Sequence, residues 1–291
     1  MPGRLAVSET TFDLPGSMRT DRHQTVRDSA LEWQCLSGEA WFWEMASPEA
    51  VENAAYALAG QMASVGEQLA LAYSAAVEVA LWQLEPTVEA EPVVREMSIR
   101  AMAEAQSLFV IGAGHAFANV ALRALTVRAD LKARLAASFQ PKAADAFAPF
   151  SQKRDDWISL NPHACKKLAA VAAASKSTDI AELIAAVVGY GRSSEWRALV
   201  ERRGEDFHRW RPQTHGLPGI SQRSPWTYVP ATATAPGERI LHMGQLPYED
   251  AEGLAEEVAK VATDGMFSLA DGMVRFTNAL EAAMRALRNS G

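Results

Sequence analysis

The chain has 291 residues, 48% of them apolar, and a formal net charge of −7, enough material for one large or two small globular domains with a substantial core. The acidic balance excludes broad nonspecific nucleic-acid binding, which depends on neutralising many phosphates. Cys35 and Cys165, far apart and without Cys or His neighbours at zinc-like spacing, exclude a disulfide framework and a structural zinc and leave free thiols as the expectation.

No charged N-terminal stretch leads into an apolar h-region, and no apolar run of about eighteen residues occurs, so a cytoplasmic protein without a membrane partner is expected. Seven lysines against twenty-one arginines, with abundant alanine, fit a GC-rich bacterial genome. Apolar residues recur at helical spacing throughout, and no run alternates β-branched with polar residues. The fold class expected is therefore all-α, a multi-helix bundle over residues 1–291.

In chain order, residues 1–46 lack clean periodicity. Trp33 and the adjoining Trp41, Phe42 and Trp43 are costly to leave in water, so this stretch is expected as an arm packed on the body. Ser47 as N-cap, Pro48 at the first position and Glu49 at the dipole's positive end open a helix to about Leu84. A second long helix follows Pro92 to about Leu125, with shorter ones near 128–138, 142–149 and 162–175, the last started by Asn161 and Pro162. Thr178 caps another. The next begins at Ser193 or Ser194 and ends near Trp210, because Pro212 disfavours helical geometry at Arg211. Residues 212–247, with six prolines and four glycines, read as a long ordered loop, a length that inside a compact domain is usually functional. A final helix spans 248–288, acidic at its start and basic at its end, in keeping with the macrodipole.

Two helices carry chemistry. Along the helix containing Phe109 to Leu125, Gly112, His115, Asn119 and Arg123 share a sector of roughly 80° while the rest of the turn is apolar. Such a stripe on a buried helix must meet polar side chains, a ligand or water, or else form a satisfied structural network. The glycines of the Gly112 to His115 stretch follow no strand, so they are read as permitting close helix contact rather than as a nucleotide loop.

The second signal lies between Arg202 and His215, where four arginines and two histidines fall within fourteen positions of an acidic chain. Guanidinium forks suit phosphate, and histidine can move a proton near neutral pH. Arg203 projects from an apolar face formed by Trp196, Leu199, Val200, Phe207 and Trp210. Arg197, Glu201, Glu205 and Arg209 form an i,i+4 ladder on the opposite side, with the structural explanation of a solvated salt-bridge face. His208 lies about 140° round from Arg203, so the two converge only if the arginine curls or a second subunit supplies one of them.

These residues resemble the motif of HEPN domains, helical bundles that are often metal-independent RNases. Arg203 to His208 fits the R-x4-H form of that motif and Arg202 to His208 the R-x5-H form. The resemblance implies that Arg203, or else Arg202, binds the scissile phosphate while His208 assists proton transfer, with two subunits pairing their motifs in a homodimer. The chemistry needs neither metal nor cofactor. The RNA 2′-hydroxyl attacks the adjacent phosphorus, a base takes its proton and cations hold the extra charge.

Candidate substrate contacts are Arg202, Arg209, Arg211, His215, Gln213, Arg223, His115, Asn119 and Arg123, with Trp210 or Trp226 available to stack a base. RNA or another phosphate-bearing ligand is the partner this reading implies. Two alternatives stand beside it. One is a noncatalytic helical interaction protein; the other is a helical enzyme or binder of a small molecule or cofactor, haem included, with its pocket between the His115, Asn119 and Arg123 stripe and the Arg203 helix.

Overall fold

The computed structural model describes residues 14–36, 49–84, 92–140, 157–208 and 248–289, with short strand segments between 219 and 244. Among these are eight α-helices: α1 (Asp21–Cys35), α2 (Glu49–Leu84), α3 (Pro92–Thr126), α4 (Ala129–Phe139), α5 (Pro162–Ala174), α6 (Thr178–Gly191), α7 (Ser194–His208) and α8 (Tyr248–Asn289). A single 3-10 turn, Gly16–Met18, precedes α1. The all-α bundle expected from the periodicity is the architecture observed.

α3 is the centre of the bundle. From Val110 to Leu125 nearly every side chain is buried, and the helix packs on α2, α8, α4, α6 and α7. A helix apolar on all sides has no solvent face to lose and is stable only when surrounded. The stretch Met97–Thr126 is also long and apolar enough to cross a membrane, but most of it is buried inside the bundle. One apolar cluster draws on all eight helices, with Leu69 of α2, Phe117 of α3, Val187 of α6 and Phe276 of α8 among its buried members.

The N-terminal arm is not the irregular segment its weak periodicity suggested, because it contains α1. Thr20 is the N-cap, its hydroxyl accepting from the His23 amide, and the buried face is His23, Val26, Ala30 and Trp33. That stripe is narrow and includes a histidine, so the apolar period is faint in the sequence. Trp33 does pin the arm. Its indole N–H donates to the Thr277 hydroxyl at 2.8 Å, and its ring packs against Phe117 and Phe276.

Asn161 caps α5 through the Ala164 amide, with Pro162 at the first position, as the sequence indicates. At α6 the cap is Ser177, accepting from Ile180, and Thr178 is the first helical residue. The expected helix at 142–149, the Ser47 and Pro48 start and the aromatics at 41–43 lie outside the described residues. Within the expected loop of 212–247 the chain forms two short antiparallel pairs. β1 (Gly219–Ile220) pairs with β4 (Met243–Gly244), and β2 (Trp226–Val229) with β3 (Glu238–Leu241). Trp, Thr, Tyr and Val are strand formers, but a run of four between prolines is too short to display a period.

α1 meets α2 backbone to backbone at Gly66. A Cβ at Gly66 would stand 2.6 Å from the Ala30 carbonyl oxygen and 3.1 Å from the Gln34 nitrogen, whereas one at Gly60 would meet nothing. Gly66→Ala is therefore expected to destabilise by about 1–3 kcal/mol through forced backbone separation, and Gly60→Ala to stabilise by up to about 1 kcal/mol through helix propensity. Urea unfolding of the two variants checks both signs.

Candidate functional site

The polar stripe of α3 meets the extended segment 157–160 that leads into α5. Asn119 donates to the carbonyls of His115 at 2.7 Å and Ile158 at 2.8 Å, and its side-chain oxygen accepts from the Ile158 amide at 2.9 Å. One turn earlier, the Leu160 amide donates to Nδ1 of His115 at 2.9 Å. Two side chains spaced i,i+4 thus satisfy three polar groups of a passing strand-like segment, as buried backbone requires. Arg123 is buried in the last turn of α3, where a cation complements the helix dipole.

The Leu160 contact fixes the chemistry of His115. With Nδ1 accepting, the neutral ring carries its proton on Nε2. Burial lowers the imidazole pKa, and the nearby Arg203 guanidinium lowers it further. His115 is therefore a neutral hydrogen-bond donor at physiological pH. It is poorly suited to act as a base, because its one lone pair is engaged.

α7 brings the second set of residues to the same place. Trp196 packs edge-on to His115 with ring centroids 5.3 Å apart, and Tyr190 of α6 lies 5.3 Å from Trp196. Gly114 makes this approach feasible, since a Cβ there would stand 2.5 Å from the Trp196 ring and 3.1 Å from Tyr190. Gly112 in turn leaves room for the Gln68 side chain of α2. The reading of these glycines as close-contact positions fits both.

Arg203 is exposed on α7, and its charge reaches His115. Arg202 is mostly buried and lies 3.8 Å from Glu257 of α8. Trp196 and Leu199 are buried, whereas Val200 is exposed, so the apolar face of α7 is narrower than its sequence suggests. His208 is the last residue of α7; its side chain, together with Arg209, Trp210, Arg211, Gln213, His215 and Arg223, lies outside the described positions, and Trp226 is placed only as the first residue of β2. Arg203 thus stands near enough for its charge to act on His115, and Asn119 has a structural engagement. Sequence reasoning missed Tyr190 and Trp196 as neighbours of His115, for which Gly114 was the only local sign.

Among the described residues no three His, Cys, Asp or Glu side chains gather as a metal site. Compared with known proteins, the chain matches no family model, no curated protein and no solved structure.

Removing the Asn119 amide leaves the Ile158 amide and carbonyl without their partner, so Asn119→Ala is expected to cost about 1–3 kcal/mol, with faster hydrogen exchange at 157–160 as the local readout. The histidines add a pH dependence. His115 and His23 both titrate below their usual value of 6.5, each chiefly through burial. Between 6.5 and the lower native value the unfolded chain binds more protons, so their contribution is intact above 6.5 and is lost as the pH falls through the native pKa values. His115→Gln should flatten the acid side of a stability profile measured by urea unfolding.

Proposed function

We propose that the C-terminal part of α7, with His115 of α3 beside it, is the site of a metal-independent endoribonuclease of HEPN-like type. The observation that supports this most is the exposed Arg203 guanidinium acting on a neutral, Nε2-protonated His115. An exposed cation beside an oriented neutral donor suits the nonbridging oxygens of a phosphodiester, whose charge grows in the transition state.

In this reading Arg203 holds the scissile phosphate and His115 donates to it. His208 takes the proton of the 2′-hydroxyl as its oxygen bonds to phosphorus. The bond from phosphorus to the 5′-oxygen breaks, that oxygen receives a proton, and a 2′,3′-cyclic phosphate remains. Arg202, Arg209, Arg211, His215 and Arg223 contact the flanking RNA backbone. A homodimer pairing two motifs supplies the geometry that one helix, with Arg203 and His208 about 140° apart, does not.

A second reading, a noncatalytic helical interaction protein, draws on Trp157. This residue is 44% exposed at the start of the segment held by Asn119 and His115, and a large aromatic on a rigid mount is the usual anchor of a protein interface.

A labelled mixed RNA pool incubated in EDTA separates the two. Cleavage by the wild type, reduced by about 10²–10³-fold in Arg203→Ala and by about 10²–10⁴-fold in His208→Ala, is the expected result. Circular dichroism must show both variants folded. Cleavage retained in both folded variants removes this site, and a wild type that cuts no RNA moves the weight to the interaction reading.

A further inference from the structure

The two halves of α1 are docked by different chemistry. Its C-terminal half is anchored by Trp33, which is fully buried among Phe117 and Phe276 and donates to Thr277. Its N-terminal half buries polar groups beside Val26. His23, 7% exposed, stands edge-on to Phe267 of α8 at 4.8 Å and to Tyr73 of α2 at 6.3 Å. The hydroxyls of Tyr73 and of Ser29 in α1 are both buried without a hydrogen-bond partner among the described residues. Water would satisfy such groups, so each weakens the contact that buries it.

His23 is also badly placed to carry a charge. It is the third residue of α1, where a cation opposes the positive end of the helix dipole. On its own helix Arg27 and Arg22 act on it, and the Arg22 guanidinium is seated over the Phe267 ring at 4.3 Å. Asp21 and Asp28 of the same helix are exposed. From α2 the ring meets Tyr73, whose phenol burial keeps neutral. From α8, Glu256, Lys260 and Asp264 line the cleft beside His23, with Lys260 and Asp264 paired at 2.8 Å. The net result of burial first, then Arg27, then Arg22 is an imidazole pKa below its usual value. The ring is tied to the start of the helix as well. Its Nδ1 lies 2.7 Å from the Thr20 hydroxyl, which accepts from the His23 amide as the N-cap, so moving the ring out disturbs the cap.

We propose that the N-terminal half of α1 is an acid-released latch, in which protonation of His23 frees this half from α2 and α8 and uncovers Phe267 and Tyr73 while Trp33 holds the other half in place. Local opening of a terminal helix needs far less free energy than unfolding the bundle. In the open form the histidine has its ordinary pKa and in the docked form a lower one, so the latch is shut above 6.5. As the pH falls from there toward the native value, opening takes up a proton, and its equilibrium constant grows by at most about tenfold per pH unit. The inference is independent of the ribonuclease reading.

Hydrogen exchange of the full chain at about pH 7.5 and about pH 5.5, corrected for intrinsic rates, tests it. The amides of residues 24–28 are expected to open at least about threefold more readily at the lower pH, while the Trp33 indole N–H and the amides of α6 respond less. His23→Gln and His23→Phe, the second keeping an aromatic ring between Tyr73 and Phe267, should both lose the acid response. Opening of 24–28 that does not change with pH, an equal rise at Trp33 and in α6, or an acid response kept in folded His23→Phe would each overturn the proposal.

Discussion

The structure depends on the burial of α3. A helix enclosed from Val110 to Leu125 fixes where its neighbours sit, because each must contribute an apolar face to it. It also leaves little room for a polar side chain to reach bulk water, with Asn119 buried and His115 half-buried. His115 and Asn119 are tolerated because a backbone segment was brought to them, and in return they place residues 157–160 and the Asn161 cap of α5. Polar groups in a low-dielectric interior strengthen one another when satisfied and are costly when they are not, so the clamp both positions the chain and penalises alternative packings. The approach of α7 follows from the same helix, since Gly114 admits Trp196 and thereby sets the distance at which Arg203 influences His115.

The long helices were legible because their signals are local and redundant. Pro92, Asn161 with Pro162, and the acidic start of the last helix each mark a start by chemistry that operates within one turn. α1 was less legible. Its buried stripe of His23, Val26, Ala30 and Trp33 is four residues wide of solvent-facing polar neighbours, and the tryptophan disclosed the docking without disclosing the helix. The short strands of the 212–247 region depend on pairing across the sequence, which no local period records.

The candidate site was legible in its parts but not in its assembly. The stripe of Gly112, His115 and Asn119 was visible from spacing, and so was the unusual charge of the Arg203 helix. Their meeting was not, since it depends on how α7 crosses α3. Spacing also could not distinguish Asn119 as a clamp from Asn119 as a ligand contact, because the two roles call for the same side chain on the same face.

An acidic chain still carries a locally basic helix, since Arg197, Arg202 and Arg203 fall within two turns of α7. Glu257 of α8 lies 3.8 Å from Arg202 of α7 and moderates the positive field there. Arg203, the next residue of α7, is exposed. In the ribonuclease reading proposed above, His115, held neutral and oriented by Leu160, is the donor whose position the α3 core determines.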